Sequence, residues 1–101
     1  MYLIQLLLPL HDNEKRPIPV EHFNNLRTDL TRRFGGVTAF VRAPATGLWE
    51  EDEEINRDEV VMFEIIAESF ARDWWRAYRT QLQDVFKQKE VLIWATSVEK
   101  V

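Results

Sequence analysis

The spacing of apolar residues switches repeatedly along this chain, and that alternation limits what it can fold into. Tyr2-Leu3-Ile4-Gln5-Leu6-Leu7-Leu8 is nearly all apolar and stops at Pro9. A short apolar run closed by proline predicts a strand with both faces at least partly covered. His11 to Pro19 is polar, carries Pro17 and Pro19, and reads as a loop. From Val20 the period lengthens. Phe23, Leu26, Leu30 and Phe34 recur at helical spacing, with Glu21, Asn24, Arg27 and Thr31 between them. Gly35-Gly36 ends this amphipathic helix, because glycine accepts the left-handed conformation that closes one.

Val37 to Arg42 predicts a second strand, Ala43 to Gly47 a turn, and Val60 to Ala67 a third strand. Between the last two, residues 50–59 hold seven carboxylates in ten positions, which mutual repulsion makes a solvated loop or hairpin tip. A second helix is expected from Ser69 to Lys87. Phe70, Trp74, Tyr78, Leu82 and Val85 form its apolar stripe, widened by Trp75 and Phe86. Glu90 to Thr96, built on Val91, Leu92, Ile93 and Trp94, supplies a fourth strand.

The order β-α-β-β-α-β, with right-handed crossovers, leaves a gap beside the first strand that the third fills. The expected fold is α+β and ferredoxin-like: a four-stranded antiparallel sheet, order 4-1-3-2, with both helices on one face. The two most apolar strands, first and third, then lie in the centre. The 101 residues suffice for a single domain, 1–101, and not for two.

Composition removes several classes of function. The chain has no cysteine, so disulfide scaffolds, thiol catalysis and cysteine-based zinc or iron–sulfur sites are excluded. A net charge of −4 gives little attraction to nucleic acid or an anionic membrane. The apolar start is too short to span a bilayer and lacks the features of a signal peptide, so a cytoplasmic location is the default. Gly35-Gly36 precedes a strand rather than a helix and is no phosphate loop. The two serines, Ser69 and Ser97, lack a nucleophile-elbow context, and Ser69 reads as a position near a helix start.

Two helices cover one side of the sheet, so the other side carries the functional question. Strand alternation sends Ile4, Leu6, Leu8, Val61, Phe63, Ile65, Val91 and Ile93 towards the helices. The opposite set includes Leu3, Gln5, Leu7, Phe40, Arg42, Met62, Glu64, Ile66, Leu92 and Trp94. It is too apolar to be simply wet, which points to pairing with a second copy or to a pocket. The rival is a monomer with Trp49 and the acidic loop folded across the sheet. Gln5, Phe40, Trp49, Met62 and Trp94 are the candidate ligand-binding residues.

Glu64 and Arg42 fall on neighbouring strands and are the candidate catalytic pair. Burial raises a carboxyl's pKa, as acid–base work at neutral pH requires, and an arginine alongside holds an anion. As an architectural feature, the same two residues make an ion pair. His11 and His22, with Asp12, Glu14 and Glu21 nearby, are the candidate metal ligands, although no spacing matches a known signature. No cofactor is expected. Trp74-Trp75 with Arg72, Arg76 and Arg79 resembles a base-stacking surface, but a helix divides the two indoles between stripe and flank, and nucleic-acid binding is disfavoured.

Several stretches together carry a resemblance. They are Phe34-Gly35-Gly36-Val37-Thr38-Ala39, Pro44-Ala45-Thr46-Gly47-Leu48-Trp49 and Asp58-Glu59-Val60-Val61-Met62-Phe63-Glu64, with Trp74-Trp75-Arg76 and Phe86-Lys87-Gln88-Lys89-Glu90. Over nearly its whole length the chain resembles a small family of uncharacterised bacterial proteins. It is distantly similar to the DUF3574 group, with Val37 where that group has leucine. The resemblance implies bacterial origin and a dimer-forming α+β domain, and it implies no reaction. Two readings of function follow. One is a non-enzymatic homodimeric module that binds a small molecule or protein. The other is a small cofactor-free enzyme, of isomerase or monooxygenase type, with Glu64 as general acid and base.

Overall fold

A computed structural model of the chain describes residues 1–42 and 60–101, with side chains omitted at 39–42. The predicted α+β class holds. The elements are β1 (Tyr2–Pro9), α1 (Val20–Phe34), β2 (Thr38–Arg42), β3 (Val60–Ala67), α2 (Arg72–Val85) and β4 (Leu92–Ser97). The strands lie in the order β2-β3-β1-β4, and every neighbouring pair is antiparallel.

Alternation along the central strands builds the core. Ile4, Leu6 and Leu8 of β1 and Val61, Phe63 and Ile65 of β3 point to one face. There they are buried with Phe23, Leu26 and Leu30 of α1 and Trp75, Tyr78 and Leu82 of α2, so both helices cover the same side. Helix α1 stops where its sequence requires. Gly35 takes φ +81° and donates its N–H to the Thr31 carbonyl at 2.8 Å. Arg32 and Arg33 place positive charge on the last turn, where the helix dipole is negative.

Helix α2 departs from the expected pattern in two ways. It begins at Arg72, with Ala71 as N-cap and no side-chain cap, so Ser69 lies outside it. Its buried stripe is Trp75, Tyr78 and Leu82, continued by Phe86, while Val85 is exposed and Trp74 half-buried. Steps of three and four residues keep 75, 78, 82 and 86 on one face. Each single-residue offset turns a side chain by about 100°, which swings Trp74 and Val85 to the flanks. Trp74 is satisfied there: the Arg33 guanidinium sits 4.0 Å over its ring, and Tyr78 stacks against it at 4.8 Å.

Two buried polar atoms, Trp75 Nε1 and the Tyr78 hydroxyl oxygen, have no hydrogen-bond partner among the described residues. Burial, and then the Asp29 carboxylate, pushes the Tyr78 pKa above its ordinary 10.0. The Asp29 carboxylate faces the hydroxyl and raises its pKa through its charge and through a hydrogen-bonding approach that falls short of full hydrogen-bond geometry. Among the described residues, no helix is long and apolar enough to cross a membrane.

Candidate functional site

The face of the sheet away from the helices is organised by one row of residues. Register places Gln5 of β1 between Glu64 of β3 and Trp94 of β4, and Thr38 of β2 opposite Glu64. The Trp94 indole N–H donates to Gln5 Oε1. Gln5 Nε2 in turn donates to Glu64 Oε2 at 2.7 Å and approaches Met62 Sδ at 3.4 Å. A single amide thus joins three strands. Its geometry follows from the pleat: directly opposed side chains stand about 5 Å apart, within reach of one glutamine.

Apolar side chains flank this row. Leu3 and Leu7 are half-buried, while Ile66, Leu92 and Trp94 keep 52%, 45% and 40% of their surface exposed. Met62 behaves differently. It is only 4% exposed although it belongs to this outer face and not to the main core cluster.

The expected Glu64–Arg42 pair finds no support in the register. Arg42 lies opposite Val60, four residues along β2 from Thr38. That separation is about 13 Å of strand. The partner that the structure gives Glu64 is Gln5. Phe40 lies opposite Met62 by register, and the side chains of Phe40 and Arg42 are outside those described. Trp49 and the acidic run likewise fall among residues 43–59, outside the described part. Of the candidate residues, the structure therefore brings together Gln5, Met62, Glu64 and Trp94.

The candidate metal ligands are not gathered. His11 pairs by backbone with Pro17, while the His22 ring packs 5.9 Å from Phe86. Asp12, the carboxylate expected beside them, is committed to its own turn. Asp12 Oδ1 accepts the backbone N–H groups of Glu14 (2.8 Å) and Arg16 (3.0 Å), and Oδ2 meets Arg16 Nε at 3.2 Å. The Arg16 N–H is the main influence holding this carboxyl below the ordinary 3.8, against the opposing effect of partial burial. Among the described residues, no group of three or more His, Cys, Asp or Glu is placed to hold a metal ion.

Sequence reasoning placed Gln5 and Glu64 on one face but did not join them. The available signal was their isolation. Each is the one strongly polar side chain in its strand, at the same alternation phase, and two such groups in adjacent apolar strands gain most by meeting. Comparison with protein-family models, curated proteins and solved structures found no match for this chain.

Proposed function

We propose that this chain is a non-enzymatic homodimeric binding module of ferredoxin-like architecture, whose open sheet face seats a second copy of itself. The observation that carries this reading is the exposure of Ile66, Leu92 and Trp94 around a row in which hydrogen bonds join Trp94, Gln5 and Glu64. Exposed apolar area drives association, and Gln5 brings little desolvation cost because both ends of its amide are paired. The size is also suitable. Strands of up to eight residues in a sheet of four give a plane of about 26 by 19 Å. That plane is about 490 Å² at most, and the relief of its side chains brings the accessible area towards the ~800 Å² per partner of a standard interface.

The test is sedimentation of the wild type beside Ile66→Asp and Leu92→Asp. The wild type should sediment at twice the 12.0 kDa chain mass. Both variants should sediment as monomers with unchanged circular dichroism, since both sites are exposed in the single chain. A wild type that is monomeric at high concentration, or variants that remain dimeric, overturns the proposal.

A second reading is a cofactor-free enzyme that uses Glu64 as general acid and base. It is supported by a half-buried carboxylate, fixed by Gln5, amid apolar neighbours. Glu64→Gln separates the two: it leaves the dimer of the first reading and removes turnover under the second.

A further inference from the structure

A groove of about 440 Å³ opens where three parts of the fold converge. Arg33 and Phe34 come from the last turn of α1, Ile66 and Ala67 from the end of β3, and Glu68, Ser69, Ala71 and Trp75 from the approach to α2 and its first turns. Its volume lies within the roughly 300–1,000 Å³ of small-molecule sites. Of the lining residues only Ile66 belongs also to the outer sheet face, so the groove borders the proposed dimer surface at that one residue.

Its chemistry is two-signed. The Arg33 guanidinium is held 4.0 Å over the Trp74 ring and 5.7 Å from the Phe34 ring, and it forms no ion pair among the described residues. Glu68 lines the same groove and is likewise unpaired among them. Helix α2 starts here without a side-chain cap, so the N–H groups of its first turn lend partial positive charge. Trp75 is 3% exposed, lines the groove, and carries an indole N–H that donates to nothing among the described residues. Phe34, Ile66 and Trp75 supply apolar wall.

A simple anion in this groove meets Glu68, and a simple cation meets Arg33 and the positive end of α2. A small zwitterion satisfies both signs together. We infer that the groove binds a free α-amino acid with an apolar side chain. Its carboxylate faces Arg33 and the start of α2, its ammonium faces Glu68, and its side chain lies against Phe34 and Trp75.

The test is an amide and indole NMR titration of the full chain with L-phenylalanine. The controls are 3-phenylpropanoate, which lacks the ammonium, and 2-phenylethylamine, which lacks the carboxylate. Saturable shifts of the Trp75 indole N–H and of the Ser69 and Ala71 amides are expected with the amino acid. Each control compound should bind at least roughly tenfold more weakly, because each loses one charge-assisted contact. Arg33→Gln and Glu68→Gln should weaken L-phenylalanine binding similarly; Glu68→Gln should leave the melting temperature unchanged because its side chain is exposed, while Arg33→Gln also gives up the stacking on Trp74 and lowers it slightly. The absence of saturable shifts overturns the inference. So does equal binding of 3-phenylpropanoate, which marks a plain anion site, or undiminished affinity in Glu68→Gln.

Discussion

Replacing Gln5 with leucine separates the role of the polar row in the single chain from its role in the proposed dimer. Leucine keeps most of the volume and removes both amide functions. The Trp94 N–H then loses its acceptor, and Glu64 Oε2 loses its donor. In the isolated protomer water can replace both partners, because Trp94 is 40% exposed and Glu64 is half-buried. The loss of folding stability should then be about 1–2 kcal/mol. In a dimer sealed over this face the same groups are orphaned away from water, at about 1–3 kcal/mol each. Two orphans per protomer, doubled by symmetry, give at least about 4 kcal/mol, or roughly a thousandfold in the dimer dissociation constant. Sedimentation equilibrium measures the constant, and urea unfolding of an already monomeric Leu92→Asp background measures the protomer term. Equal, small effects in both assays would refute the reasoning, because they would show that water reaches the row in the assembled protein.

Other perturbations test the protomer itself. Phe63→Ala empties the middle of the core, where the ring is fully buried, and should destabilise by about 3–5 kcal/mol in denaturant titrations. The Asp12 carboxyl titrates below its ordinary 3.8, so its contribution is present above the unfolded value and lost as pH falls through the lower folded one. NMR titration should show that shift, with the amides of Glu14 and Arg16 losing protection on the acid side, and Asp12→Asn should abolish it. Tyr78→Phe removes a buried hydroxyl that lacks a partner, so unfolding should show unchanged or increased stability. Because the folded Tyr78 pKa is raised, its contribution is complete below pH 10.0 and declines above that value as only the unfolded chain ionises. Alkaline unfolding should be correspondingly delayed in Tyr78→Phe.

The class of fold was legible because strand and helix periods differ and each element carries enough apolar residues to show its own. The alternation of β1 and β3 identifies Ile4, Leu6, Leu8, Val61, Phe63 and Ile65 as the inward set, and all six lie in the core cluster. Helix α2 was harder. Trp74 and Trp75 are adjacent and equally apolar, so composition does not say which one enters the core. Helix phase decides it: Trp75 shares its face with Tyr78, Leu82 and Phe86, while Trp74 falls on the flank, and Phe34 touches both rings. The site was legible as a face but not as a network. Alternation assigns a side chain to one side of a sheet, whereas register decides which side chains meet across it. Register is what gives Glu64 its hydrogen-bond partner Gln5, which alternation alone does not identify. The groove beside Arg33 gave no sequence signal, since its walls come from three segments far apart in the chain.

Isotope-filtered NOE spectroscopy on a mixture of labelled and unlabelled chains most directly tests whether the outer sheet face seats a second copy. The account predicts cross-peaks between protomers from the Trp94 indole and the methyl groups of Leu7, Ile66 and Leu92. Cross-peaks confined to α1 and α2, or none in a sample concentrated enough for the experiment, would contradict it.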